Sequence, residues 1–138
     1  MKYKPEIHQR RSIRLKGYDY SQEGAYFVTI CVDNQECLFG DIVDGKMFLN
    51  QAGEIVVDSW TWLTQQYNYV DLDEWIIMPN HLHGIITIMD GRCESNARTT
   101  SIGQRKSIGR IIGAFKTVST KRINILHQNV CARLWQRN

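Results

Sequence analysis

Two histidines separated by one leucine are the residues of this chain best suited to metal chemistry. His81-Leu82-His83 follows a Pro79-Asn80 turn and opens an apolar, partly β-branched stretch that is typical of a strand. Because alternate strand residues share a face, we expect the two imidazoles side by side, with Leu82 in the core. The pair would form half of a divalent-metal site, although His-x-His alone is a weak motif and two packed or solvated side chains are the alternative.

The hydrophobic pattern around this pair predicts strands and helices in alternation. Residues 25–32 are apolar throughout, which predicts a central strand that is buried on both faces. Asn50 is the expected N-cap of a helix that runs to about Tyr67, and Ser107 opens a second helix to about Leu126. The remaining predicted elements are a hairpin over 41–49 with an Asp44-Gly45 turn, paired strands over 75–78 and 81–88, and a last strand, Arg133–Gln136.

This order predicts an α+β fold of the β-α-β-β-α-β type. Such a ferredoxin-like sandwich, which RNA-recognition (RRM) domains share, has an antiparallel sheet with helices on one face. The 138 residues are enough for one domain with its own core, and the sequence shows no internal repeat. We therefore predict a single domain over 1–138, with a basic N-terminal arm over 1–16 and a flexible loop over 90–106.

The composition indicates a cytoplasmic protein. The sequence has no apolar run long enough to cross a membrane and no secretory leader is apparent at its start, so no membrane association is expected. The four cysteines lie far apart without a Cys-x-x-Cys motif, which favours reduced thiols over a zinc site or a disulfide framework. They are Cys31, Cys37, Cys93 and Cys131.

The charges are distributed unevenly along the chain. Residues 1–16 contain six Lys or Arg and one acid, and residues 92–138 contain ten Lys or Arg and one acid, whereas residues 17–91 contain one Lys and twelve acids. Two basic ends favour a nucleic-acid surface over a merely solvated face. The phosphate contacts that we predict are Arg10, Arg11, Arg14, Lys106, Arg110, Lys116, Lys121 and Arg122.

Several motifs together resemble one family. Met78-Pro79-Asn80-His81-Leu82-His83-Gly84 is similar to the His-hydrophobic-His motif of HUH single-strand nucleases, and in particular to that of REP-associated tyrosine transposases. The resemblance covers nearly the whole chain. The other stretches that carry it are 11–15, 18–20, 24–31, 39–42, 112–116 and 134–138.

The resemblance implies a DNA transposase that cleaves and rejoins single-stranded or hairpin DNA. In that family, a divalent cation on the two histidines, Mg²⁺ or Mn²⁺, orients the scissile phosphate, and a tyrosine attacks phosphorus to give a 5′-phosphotyrosine. His81 and His83 match the metal-binding positions. Members act alone or as a homodimer.

The sequence departs from this family at the nucleophile. The catalytic tyrosine is expected on a helix after the last strand, but all six tyrosines precede His81, so the resemblance implies a chain truncated before that helix and inactive in cleavage. Two alternatives stay open: a non-catalytic single-stranded nucleic-acid-binding module, and a metal-dependent phosphodiesterase that activates water, for which Asp90 is the nearest candidate base. The six tyrosines are Tyr3, Tyr18, Tyr20, Tyr26, Tyr67 and Tyr69.

Overall fold

A computed structural model of the protein describes residues 22–89, 106–128 and 132–137. The predicted basic arm, the loop before Lys106 and the candidate base Asp90 lie outside these ranges. Its strands and helices follow the predicted order, and the ferredoxin-like α+β class is confirmed. The elements are β1 (Gly24–Cys31), β2 (Gly40–Val43), β3 (Lys46–Leu49), α1 (Gln51–Gln66), β4 (Val70–Met78), β5 (His81–Ile88) and α2 (Ile108–Leu126).

Both helices begin where their capping residues predicted. The Asn50 side chain accepts a hydrogen bond from the backbone N–H of Gly53 at 2.9 Å. The Ser107 side chain accepts one from the backbone N–H of Arg110. These side chains satisfy amide groups that the first helical turn leaves without an intrahelical partner. The β2–β3 hairpin also forms as predicted, with positive φ at Asp44 and Gly45 in its turn.

The main sheet has three antiparallel strands in the order β1-β5-β4. Both helices pack on one face of it, so strand residues alternate between a buried side and an open side. β5 shows this most clearly, because Leu82, Gly84, Ile86 and Ile88 are buried and the residues between them are partly exposed. The open side of the sheet therefore carries His81 and His83.

Strand β1 differs from the prediction of a central strand buried on both faces. It lies at the side of the three-stranded sheet, with Val28 and Ile30 buried but Ala25, Phe27 and Thr29 exposed. The prediction was wrong because, in the part of the chain that the structure describes, helices cover only one face of this sheet. A continuous apolar run indicates a doubly buried strand only when both faces are covered.

The predicted last strand is reduced to a single bridge between Trp135 and Val32. Around it, the N–H of Asp33 donates to the carbonyl of Leu134 and the N–H of Gln136 donates to the carbonyl of Cys31. The C-terminal segment thus occupies the place of a fourth strand beside the end of β1. It is too short for a regular ladder, so the prediction of a strand over Arg133–Gln136 was wrong in extent.

An aromatic cluster joins the helices to this segment. The ring of Trp60 from α1 meets that of Phe115 from α2 edge to face at 5.3 Å, and Phe115 lies 5.5 Å from Trp135. Trp135 also packs against Phe39, and its indole N–H donates to the buried Ser119 hydroxyl. These large side chains dominate the buried core behind the sheet.

Strand β4 is irregular along its pairing with β5. Its register against β5 shifts between Leu72 and Trp75, and three exposed acids lie in or next to this irregularity. A shift of this kind bends the strand and interrupts its ladder. The acids are Asp71, Asp73 and Glu74.

Candidate metal centre on the open sheet face

The turn that precedes the histidines is held from two sides. Pro79 and Asn80 connect β4 to β5, and the backbone N–H of Val32 donates to the Asn80 carbonyl at 2.9 Å. The N–H of Phe39 donates to the Pro79 carbonyl at 3.0 Å. Because both residues belong to the well-packed core, the start of β5 is fixed relative to the rest of the sheet.

His81 and His83 lie side by side at this position, as the alternation predicted. Their ring centroids are 4.7 Å apart with an angle of 75° between the planes. Both side chains are partly exposed, while Leu82 between them is fully buried. The pair therefore faces solvent on a rigid strand and can be approached by a ligand.

Each imidazole has a hydrogen-bond partner at Nδ1. Nδ1 of His81 donates to the side-chain oxygen of Asn80 at 2.7 Å, and Nδ1 of His83 lies 2.9 Å from the Thr29 hydroxyl. A proton on Nδ1 leaves Nε2 with a lone pair, which is the form in which a neutral imidazole binds a metal. Partners of this kind fix the tautomer and the ring orientation of metal-binding histidines.

Electrostatics also favour the neutral form of His81. Desolvation lowers the pKa of its imidazole below the usual 6.5, and the nearby His83 lowers it further by like-charge repulsion. At neutral pH the ring is therefore deprotonated at one nitrogen. A cation does not have to displace a proton from it.

Gly84 allows helix α1 to pack closely against the strand that carries the two histidines. A Cβ at this position would lie 2.5 Å from Cζ2 of Trp60, well inside van der Waals contact. Glycine thus lets the Trp60 indole pack directly against the β5 backbone, next to His83. This close approach connects the main core residue of α1 to the position of the candidate ligands.

Two imidazoles match part of the donor set that a divalent cation needs. Nitrogen ligands suit Mn²⁺ better than Mg²⁺, which prefers oxygen. Within the ranges that the structure describes, no group of three or more His, Cys, Asp or Glu could hold a metal ion. The described residues thus offer a cation two imidazole ligands, and its other ligands would have to come from groups outside the described residues, such as water or phosphate oxygen.

The predicted phosphate contacts that the structure describes lie on α2 or just before it. Arg10, Arg11 and Arg14 lie outside the described residues. Arg110, Lys121 and Arg122 are exposed on α2, in the helical layer behind the sheet, and Lys106 precedes that helix. Arg122 reaches towards Ser59 of α1 at 3.5 Å.

Lys116 differs from the other basic residues of α2. Its Nζ donates to the carbonyl of Gln136 at 3.1 Å, and the N–H of Gln136 donates to Cys31, which pairs with His81 across the sheet. Lys116 thus lies on the side of the sheet where the C-terminal segment joins β1. Its part in phosphate binding stays a prediction, as it does for the other basic residues.

Three residues at the site were not identified from the sequence. Asn80 is adjacent to His81 in the sequence, so a contact between them could have been expected. Thr29 and Phe27 come from β1, more than fifty positions before the histidines. The Phe27 ring stacks on that of His83, with centroids 5.7 Å apart and an angle of 22°. Only the register of β1 against β5 reveals these two neighbours.

The chain is similar to a bacterial protein over nearly its whole length. No protein-family profile matches the chain. An uncharacterized protein of Haemophilus influenzae is 43% identical over 145 aligned residues, which cover 99% of this chain and 79% of the relative. The chain belongs to the family of this Haemophilus protein.

A solved structure gives a more distant comparison. The structure of a REP-associated tyrosine transposase bound to a REP hairpin matches with a TM-score of 0.57 at 12% sequence identity. The match covers 94% of this chain and 59% of the transposase chain, so the chain spans less than two thirds of that protein. At this identity the likeness shows that this chain shares the fold of that transposase. The predicted lack of a catalytic helix stays a prediction.

Among the helices of the described residues, neither has the length and apolar character that crossing a bilayer would require.

Proposed function

We propose that this protein is an HUH-type DNA-binding protein whose His81 and His83 hold a divalent cation, Mn²⁺ or Mg²⁺, against a phosphate of single-stranded or hairpin DNA. The observation that carries the proposal is the pair of partly exposed imidazoles, 4.7 Å apart, with both Nδ1 atoms already hydrogen-bonded. The fold shared with a transposase that was solved with a DNA hairpin supports it.

Each residue of the site has a definite part in this function. Nε2 of His81 and of His83 would be the metal ligands, and Asn80 and Thr29 orient the two rings. A bound cation would act as a Lewis acid that neutralises and orients a phosphate. Trp60 and Gly84 hold the strand in place from behind.

The described tyrosines are badly placed for attack on such a phosphate. Tyr26 points to the helical side of the sheet, and its hydroxyl donates to the carbonyl of Gln22. Tyr67 and Tyr69 precede β4 at the end of the sheet opposite to His81, since Val70 pairs with Ile88. Ile88 lies seven positions along β5 from His81, which is about 23 Å at the usual rise. We therefore propose that Tyr26, Tyr67 and Tyr69 form no phosphotyrosine, and we extend this proposal to Tyr3, Tyr18 and Tyr20, which lie outside the described residues.

The experiment measures cation and DNA binding together. Calorimetric titration with Mn²⁺ should give binding by the wild type that falls at least tenfold in His81→Ala and in His83→Ala. The matched control is His127→Ala, which removes an exposed histidine at the end of α2. Anisotropy of a fluorescent DNA hairpin with a single-stranded extension should rise more with Mn²⁺ than with chelator, and only where the His pair is intact.

Three results would contradict the proposal. Equal Mn²⁺ binding by the wild type and by both alanine variants would exclude the histidines as ligands. DNA binding that neither chelator nor His81→Ala changes would separate the histidines from phosphate recognition. A covalent protein–DNA adduct on a denaturing gel, after incubation with labelled hairpin and Mn²⁺, would show that the chain does supply a nucleophile.

The non-catalytic binding module remains the second candidate function. The observation in its favour is the two-histidine ligand set, to which the described residues add no third His, Cys, Asp or Glu. Under this function, tight and salt-sensitive binding to single-stranded DNA would persist in chelator and in His81→Ala. The same anisotropy measurement therefore decides between the two.

A further inference from the structure

A large aromatic side chain lies exposed beside the histidines. Phe27 is 69% exposed on the open face of the sheet, and Ile76 is 52% exposed on the same face. Isolated exposed apolar residues are common on protein surfaces. Here, however, the two residues lie on the strands on either side of β5, next to the proposed phosphate site.

The register places these two side chains on opposite sides of His83. Ile76 pairs directly with His83 across β4 and β5, while Phe27 on β1 is the neighbour of Thr29, which pairs with His83. Phe27 packs its ring nearly parallel to the His83 imidazole, at 5.7 Å between centroids and 22° between planes. The orientation of the Phe27 ring is thus set, while most of its surface stays open to solvent.

We propose that Phe27 is a stacking platform for a nucleobase of the DNA strand whose phosphate lies at the His81–His83 pair. This inference rests on the proposed function and adds a base-binding subsite to it. A nucleotide joins its base to its phosphate through one sugar, so a base next to a phosphate at His83 is within reach of the adjacent ring. Aromatic side chains on open sheet faces hold bases in this way, with little sequence preference.

The alternation of polar and apolar groups favours a nucleotide over a protein partner here. On this face the partly exposed Ile85 lies opposite Phe27, and His83 lies between Thr29 and Ile76, so polar and apolar side chains are interspersed. The centre of a protein interface is typically a continuous apolar patch with few charged groups. A base stacked on one ring, with its phosphate at neighbouring imidazoles, needs only the local arrangement that is present.

The test compares two oligomers and three variants of the full chain in Mn²⁺. The probes are a fluorescent oligothymidylate and an oligomer of equal length in which tetrahydrofuran abasic residues replace the thymidines, so that the phosphates are kept. The variants are Phe27→Ala, Phe27→Tyr, which keeps an aromatic ring, and Phe48→Ala. The last is a matched control because Phe48 is 57% exposed on β3, outside the three-stranded sheet.

The expected result is a selective loss of base-dependent affinity. Phe27→Ala should bind oligothymidylate about tenfold more weakly, Phe27→Tyr and Phe48→Ala should bind it as the wild type does, and Mn²⁺ affinity should be unchanged in all three. The abasic oligomer should bind the wild type about tenfold more weakly than oligothymidylate does. The affinity of the abasic oligomer should be the same for Phe27→Ala as for the wild type.

Two outcomes would overturn the stacking role alone, with the proposed function intact. One is oligothymidylate binding by Phe27→Ala that equals that of the wild type. The other is a parallel loss of Mn²⁺ affinity in Phe27→Ala, which would make Phe27 a positioning residue for His83. A wild type that binds neither Mn²⁺ nor either oligomer would instead contradict the proposed function, and this inference with it.

Discussion

The Thr29 hydroxyl of β1 lies 2.9 Å from Nδ1 of His83 in β5, although the two residues are 54 positions apart in the sequence. This contact exists because β1 and β5 pair in a register that sets Thr29 directly opposite His83. When the ring proton is on Nδ1, it donates to the hydroxyl and Nε2 is free to bind a metal. A residue that never touches the cation can thus decide which ring nitrogen is offered to it.

Removing this hydroxyl should weaken metal binding. Thr29→Val keeps the shape and the β-branched character of the side chain but cannot accept the Nδ1 proton. We expect its Mn²⁺ affinity to fall by about 10- to 100-fold, as is usual for partners of metal-binding histidines. Calorimetric titration measures this, and Thr29→Ser, which retains a hydroxyl, should stay near the wild type. Equal affinities of Thr29→Val and wild type would show that the contact does not orient His83.

The protonation of His81 provides a second prediction, for the metal-free protein. Burial and the neighbouring His83 both lower its pKa, so its NMR titration midpoint should fall below 6.5. His83→Gln should raise that midpoint only in part, because desolvation, the larger cause, remains. Midpoints at or above 6.5 in the wild type would contradict the environment described for His81.

The same shift fixes the sign of a pH effect on folding. Between the lowered native pKa of His81 and 6.5, the unfolded chain binds more protons at this residue than the folded chain does. The contribution of His81 to folding stability is therefore most favourable above pH 6.5. It becomes less favourable as pH falls through this window.

The sequence allowed the main elements and the ligand pair to be predicted, because these depend on local patterns. The Asn50 and Ser107 caps and the His81-Leu82-His83 alternation need only neighbouring residues to be recognised. Thr29 and Phe27 could not be assigned to the site, since their contacts depend on strand register. The prediction that residues 25–32 are buried on both faces was wrong for a related reason, because a single sequence does not show how many faces of its sheet are covered.

A single methyl group at Gly84 should disturb the site from behind. Gly84→Ala would bring Cβ to 2.5 Å from Trp60, so the indole or strand β5 must move. We expect a loss of about 1–3 kcal/mol in the free energy of unfolding in urea, together with weaker Mn²⁺ binding.

Gly113→Ala is the matched control for this substitution. Gly113 lies within α2 and an added Cβ meets nothing within 4 Å. Alanine is the better helix former, so stability should rise by about 0.5–1 kcal/mol. Similar effects of the two substitutions would show that the contact between Gly84 and Trp60 is not as close as described.

A buried hydrogen bond should hold the C-terminal segment in place. The Trp135 indole N–H donates to the Ser119 hydroxyl at 2.9 Å, and this hydroxyl donates to the carbonyl of Phe115. Ser119→Ala leaves the indole N–H without its acceptor and should cost about 1–3 kcal/mol of unfolding free energy. In a double-mutant cycle by urea unfolding, Trp135→Phe should cost less in the Ser119→Ala background than in the wild type. Strictly additive effects would contradict a coupled pair.

The shifted register and the exposed acids of β4 have a consequence for how the protein behaves at high concentration. A straight, uncharged outer strand is a template on which a neighbouring molecule can add its own strand and start aggregation. The irregularity between Leu72 and Trp75 bends this template, and Asp71, Asp73 and Glu74 repel an identical edge. The outer edge of β4 thus protects the sheet from polymerisation, while the face of the sheet that carries the histidines stays open to solvent.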